Sequence, residues 1–286
     1  MTPSSDLART LSLFADRLFE TGGRDPGDAA LAIAPSRLAV YHELLHKNYG
    51  SMLRFAFTQA LRLADAELAA ARGADGLPAD ADELIRRFLS VEPAATHSTR
   101  EIADRFRHYL ESHAAALFGR RPELASLLTL ERAELRAAYH TDDPGRSPDD
   151  AELAALATSD VATFLAVRVL RAPSASLLCL DHAATALHHR LRHGEVPPVG
   201  AHAHAERAVV ARDPRTLAPT FATWDEAAFR VLETAPEGTP IVLEELAVQW
   251  IAALPEADRA RDEEWQLATF ATTVASSLQS GALRLA

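Results

Sequence analysis

The chain has 286 residues, 48% hydrophobic and 24% charged, which excludes wholesale disorder and fits two domains better than one. A formal charge of -11, from 29 basic and 40 acidic residues, lowers the odds of a nucleic-acid binder, which needs a basic face to displace counterions from phosphate. The single cysteine, Cys179, excludes an internal disulfide framework and a cysteine-rich zinc or iron–sulfur site.

The first half reads as successive helices. Asp6 can cap a helix whose stripe is Leu7, Leu11, Phe14 and Leu18, stopped by Gly22-Gly23. Pro26 and Gly27 mark a loop, and Pro35-Ser36 opens the next helix, with Leu38, Tyr41 and Leu45 on one face. Tyr49 to Leu63 continues as a further helical run. Asp80 to Val91 is another helix, ended by Pro93, and Ser98 or Thr99 caps one bearing Ile102, Phe106, Tyr109 and Leu110. Pro122 suits the first turn of a long helix with Leu124, Leu127, Leu128, Glu131, Leu135 and Tyr139 on its stripe.

The Asp142–Pro148 loop is the clearest break, so the domains are expected at 1–150 and 151–286. Val161 to Leu170 then reads as a strand, as does Ser176 to Leu180. Ala183 to His193 reads as a short helix and Ala208 to Arg212 as another strand. The end of the chain gives a helix from about Trp224 to Glu233, an extended piece at Pro240–Leu243, and helices over Glu244–Leu254 and Asp262–Gln279. A terminal strand follows at Ala282–Ala286. That order is winged-helix-like. The expected fold class is α+β, mainly α: a helical bundle followed by a small mixed α/β module with a winged-helix-like end.

Three groups of residues could carry chemistry. His182, His188, His189, His193, His202 and His204 crowd one segment; His189 and His193 share a helix face, and His202 and His204 one face of a strand. Neither His-Glu-x-x-His nor a carboxylate at matched spacing accompanies them, so a polar surface is the simpler reading. Tyr41, His42, Glu43, His46 and Lys47 could be acid–base machinery but fit a solvated helix face over a core tyrosine. Glu131 lies inside an apolar stripe, where a carboxylate needs a cation; Arg37 or Arg54 would make a structural clasp. Nucleotide-binding and nucleophile-elbow motifs are missing, and Cys179 within Leu177-Leu178-Cys179-Leu180 reads as buried and inert.

No stretch approaches the roughly 20 apolar residues of a membrane span, and Met1–Asp6 has no positive signal-peptide region. A cytoplasmic protein without a membrane partner is expected.

Several stretches resemble, in order, a bacterial family labelled as a DNA-binding domain. Its members include partner subunits of multinuclear non-heme iron oxidases, such as that of methanobactin biosynthesis. Arg37-Leu38-Ala39-Val40-Tyr41-His42 is similar to the family's opening R-x-x-x-Y-R helix, with His42 replacing Arg. Leu84 to Pro93 resembles its helix ending in proline, Ile102 to Leu110 its G-x-x-F-x-x-F-L segment, and Pro122 to Tyr139 its L-A-x-L-E-x-A helix. The family's Phe-Pro pair after the second helix is replaced by Leu61-Arg62-Leu63-Ala64. The resemblance covers about residues 6–143. It implies a non-catalytic accessory subunit that binds an iron oxidase and recruits a ribosomally made precursor peptide. Iron would then sit in the partner, with no cofactor or metal in this chain.

An exposed strand edge can accept an extended leader peptide; Ile241, Val242, Leu243 and Trp250 are the candidate surface, with core packing as their alternative. Two other functions compete. A winged-helix transcription regulator needs arginines on the helix that enters DNA, and Glu244–Leu254 has no Arg or Lys. A histidine-rich metalloprotein needs a ligand set at 182–204.

Overall fold

The computed structural model describes residues 35–71, 76–92, 98–140 and 143–286, with backbone alone for 35–39, 41 and 42. The chain is α+β and mainly α, 62% helix and 12% strand, with small antiparallel sheets. It divides into two compact units, 1–124 and 125–286. The helix expected at 7–18, the Pro26–Gly27 loop and Pro93 lie outside the described residues.

The first unit is helical: α1 (Pro35–Ala56), α2 (Thr58–Ala71), α3 (Ala81–Val91), α4 (Thr99–His113) and α5 (Ala115–Arg120). The run expected from Tyr49 to Leu63 breaks at Phe57, and Thr58 Oγ1 donates to the Arg54 carbonyl across the break (2.7 Å). Asp80 caps α3 by accepting from Glu83 N, and Ser98 caps α4 by accepting from Glu101 N. The apolar stripes meet in an aromatic cluster. Phe106 lies 5.9 Å from Phe57 and 5.2 Å from Phe88, whose ring also meets Tyr109 at 5.5 Å. Phe57, Phe88 and Phe106 are fully buried.

This unit holds a buried ionic clasp. Glu67 accepts from Arg120 Nε (2.7 Å) and Arg121 Nε (3.1 Å). Glu67 and Arg121 are each 7% exposed, so water screens neither and the charges need one another. Arg120, the last residue of α5, and Arg121, which follows it, are thereby tied to Glu67 of α2.

The second unit takes nearly all of α6 (Glu123–Tyr139), followed by α7 (Asp150–Thr158) and α8 (Val161–Leu165). The division therefore falls upstream of the 142–148 loop at which the sequence suggests it. The reason is packing: Leu130, Ala133 and Ala137 of α6 join Leu180, Ala184, Ala208 and Val210 in one apolar cluster. Val161–Leu170, expected as one strand, is a helical turn followed by a strand, because Asp160 accepts from Thr163 N and Oγ1 and so starts α8.

The strands are β1 (Arg168–Arg171), β2 (Ser176–Leu180), β3 (Glu206–Arg212), β4 (Pro219–Trp224), β5 (Ile241–Val242) and β6 (Leu283–Leu285). The helices between them are α9 (Ala184–Arg192), α10 (Glu226–Thr234), α11 (Leu243–Ala253), α12 (Glu256–Arg259) and α13 (Glu263–Ser280). Two antiparallel sheets form, ordered β2-β3-β4 and β5-β1-β6. From α10 to β6 the order is winged-helix-like. The sheet's central strand, however, is β1, from upstream of the module: Val169 pairs with Ile241 on one side and Leu285 on the other.

β3 separates two apolar clusters. Val209 and Ala211 face the larger one, which gathers Phe164, Phe229, Leu246, Trp250 and Phe270, whereas Ala208 and Val210 face the α6 cluster. Alternation along one strand thus joins both halves of the unit. Gly281 ends α13 at φ 80°, and a Cβ there would lie 2.5 Å from the Arg212 carbonyl oxygen. Only glycine gives both the left-handed turn and that close approach.

Glu67→Ala removes the carboxylate that two arginines share. Breaking a buried ion pair costs roughly 3–5 kcal/mol. Glu123, 4.0 Å from Arg121, compensates in part, so a loss near the low end of that range is expected in urea unfolding. A change under about 0.5 kcal/mol, the scale of an ordinary surface substitution, would refute the clasp.

Candidate functional site

The four residues singled out in the sequence divide between core and strand. Ile241, Leu243 and Trp250 are 7%, 0% and 1% exposed, and Val242 is half-buried. The Trp250 ring lies 5.4 Å from Phe270, and its Nε1 donates to the Ala227 carbonyl at 2.8 Å. Ring and N–H are both satisfied within the core, so no side-chain surface for a peptide exists at Ile241, Leu243 or Trp250. Of this group only the β5 backbone and Val242 reach the outside. β5 has two residues before Leu243 starts α11, too few for an extended segment to pair along.

A longer edge lies in the other sheet. β4 pairs with β3 from Arg207↔Trp224 to Arg212↔Pro219 and with no other described strand. Its six residues, Pro-Thr-Phe-Ala-Thr-Trp, carry no charge. Thr220, Ala222 and Thr223 are exposed. Natural sheets usually blunt such an edge with lysine, a bulge or a covering element; Pro219 protects only its beginning. The sequence reading missed β4, although alternating Thr, Phe, Ala, Thr and Trp is a strand signal.

The second surface is an apolar groove of about 320 Å³ in the same unit. Leu153, Leu156 and Ala157 of α7 line one wall, Val161 and Phe164 of α8 an end, and Leu267, Ala271, Val274, Ala275 and Leu278 of α13 the other wall. The hydroxyls of Ser159 and Thr272 are its polar contribution. Ser159 Oγ donates to the Leu156 carbonyl at 2.8 Å. From Trp265 to Ser280 the sequence has no charged residue, and Leu267, Ala268, Thr272 and Ala275 are nonetheless exposed. Solvated helix faces normally carry charge. α7 was also missed in the sequence; its signal was Asp149 and Glu152, which form a full capping box.

Acidic residues flank the groove lining in the sequence. Asp160 sits between the lining residues Ser159 and Val161. The hydrogen bond from Thr163 N, and then that from its hydroxyl, hold its carboxyl below the usual range, so it is ionised at neutral pH. Glu263 and Glu264 precede Leu267 by one helical turn, are exposed, and make no ion pair among the described residues. At the start of α7, in contrast, Glu152 pairs with Arg146 (2.6 Å) and Asp150 with Arg215.

The remaining sequence candidates take structural positions. Glu43 and Lys47 form an exposed pair at 2.9 Å, and the Lys47 hydrogen bond lowers the Glu43 pKa; the side chains of Tyr41 and His42 lie outside the described residues. Arg54 pairs with Asp82, Glu131 is 4% exposed, and the Arg37 side chain is outside the described residues. His188 is buried 3.4 Å from Glu134, with its ring edge-on to Phe221. His189 and His193 bring their rings to 4.4 Å, and His193 Nδ1 lies 2.8 Å from the His189 carbonyl oxygen. His202 and His204 lie in a loop rather than on a strand, because β3 begins only at Glu206. Among the described residues no group of three His, Cys, Asp or Glu side chains could hold a metal ion. Cys179, expected to be buried, is exposed: its neighbour Leu180 enters the α6 cluster, so Cys179 points from the opposite face of β2. No described helix is long and apolar enough to cross a membrane.

No protein-family model matches the chain, and no curated protein matches it.

Trp250→Ala should cost roughly 3–5 kcal/mol, the price of emptying a buried aromatic site, and Trp250→Phe about 1–2 kcal/mol through the lost hydrogen bond and smaller ring. Urea unfolding monitored by circular dichroism measures both. Unchanged stability in Trp250→Ala would return this residue to the list of surface contacts.

Proposed function

We propose that this chain is a non-catalytic accessory subunit that binds a multinuclear non-heme iron oxidase and recruits a ribosomally made precursor peptide to it. The iron is expected in the oxidase. The observation that carries the reading is the β4 edge, a six-residue uncharged strand that among the described residues pairs on one side only. A leader segment can add there as a further antiparallel strand, gaining backbone hydrogen bonds without a demanding sequence match. The motif order over residues 6–143 and the winged-helix-like end, an arrangement similar to peptide-recognition modules of ribosomal-peptide biosynthesis, support the same reading.

DNA binding fits less well. The two main helices of the winged-helix-like end, α11 and α13, contain no Arg or Lys, and residues 222–286 hold 4 basic against 11 acidic residues. Phosphates would meet repulsion where a DNA reader supplies cations.

Co-expression with the products of neighbouring genes tests this function. A stable complex with an oxidase is expected, with iron in that partner and none in the isolated chain by metal analysis. Adding the precursor peptide should slow hydrogen exchange of the β4 amides. The double variant Thr220→Lys/Ala222→Lys should weaken peptide binding at least tenfold, because lysine on an edge strand opposes strand addition. Recovery of DNA alone, or of no partner, would overturn the proposal.

A further inference from the structure

The groove between α7–α8 and α13 is a second, chemically different surface, and strand addition at β4 makes no use of it. It combines an apolar lining, two walls with small residues, and acids at its margin that make no ion pair among the described residues; the nearby Arg261 lies over the Trp265 ring and pairs with Asp258 (3.4 Å). Ala157, Ala271 and Ala275 leave room between the larger Leu153, Leu156, Leu267 and Leu278. Residues of this size let a helical segment approach closely and insert its own larger side chains. Asp160, Glu263 and Glu264 supply negative charge beside the lining, and none of the lining residues is basic.

We infer that this groove binds an amphipathic helical segment of the recruited peptide, with leucine-like side chains entering the groove and Lys or Arg meeting Asp160, Glu263 and Glu264. The inference rests on the recruiting function proposed above and adds a second contact to it. Charge selects the occupant. An acidic segment is repelled by the margin, and an uncharged one gains nothing from it. The helix-in-groove mode reads apolar positions at helical spacing, complementing the backbone pairing available at β4. Two weak contacts on one peptide reinforce each other through effective concentration.

The probes are two fluorescein-labelled 16-residue peptides with Leu on one helical face, one with Lys and the other with Glu on the opposite face. Fluorescence anisotropy against the full chain at low salt should show the Lys peptide binding at least tenfold more tightly than the Glu peptide. Ala275→Arg, which fills the groove, should weaken the Lys peptide at least tenfold, whereas Ala203→Arg, an equal charge change in an exposed loop, should leave binding within twofold. Glu263→Gln/Glu264→Gln, at exposed positions that the core does not use, should weaken it about three- to tenfold. Equal binding of the two peptides, or Ala275→Arg matching Ala203→Arg, would overturn the inference. So would a concentration-dependent dimer that Ala275→Arg abolishes, since a second copy would then be the occupant. The groove and the recruiting function fail separately. If the Lys peptide binds as described but no oxidase or precursor co-purifies, the recruiting reading fails and the groove stands. If the precursor binds equally well to Ala275→Arg, the groove fails alone.

Discussion

Both chemical capacities of Trp250 are satisfied inside the second unit. Its ring packs at a tilt against Phe270, and its N–H reaches the Ala227 carbonyl, so α10, α11 and α13 are held around one side chain. Phe270 in turn meets Phe164 at 6.4 Å, edge to face, which fixes α8 and with it the end of the apolar groove. Phe270, Val274 and Leu278 anchor α13 in the core, with Val274 and Leu278 flooring the groove, and this leaves Leu267, Thr272 and Ala275 of the same helix exposed along it. Helix orientation therefore follows from a buried aromatic contact, and the surface follows from helix orientation.

The same unit shows how one strand serves two cores. Alternate β3 residues enter separate apolar clusters, so β3 cannot slip by one residue without exchanging both sets. Its neighbour β4 has no such constraint on its far side. It inherits a fixed register from β3 yet pairs with no second strand among the described residues. A strand held in register on one side is suited to pairing with an extended segment on the other, and its register is already set when the segment arrives.

In the first unit the decisive polar contact is different. The Glu67 clasp couples α2 to the arginines at the end of α5, whereas the Glu43–Lys47 and Arg87–Glu83 pairs are exposed i,i+4 contacts that screening makes weak. A buried carboxylate with cationic partners was anticipated from Glu131. The same logic holds at Glu67, which the sequence reading did not single out, since a carboxylate within a helix of Ala, Leu and Arg looks like many others.

Much of the architecture was legible in the chain itself. The stripes of α3, α4, α11 and α13, the caps Asp80 and Ser98, and the winged-helix-like order all follow from periodicity and capping chemistry, which are local. What failed was local ambiguity: Val161–Leu165 has strand-like composition but a helix-starting Asp160, and β4 lacked the hydrophobicity that draws attention to a strand. Burial of Trp250, exposure of Cys179 and the meeting of α7 with α13 were decided only by the tertiary structure. Each depends on which face of an element meets a partner distant in sequence. Periodicity says that a face exists; long-range packing determines what covers it and which of its residues remain for another molecule.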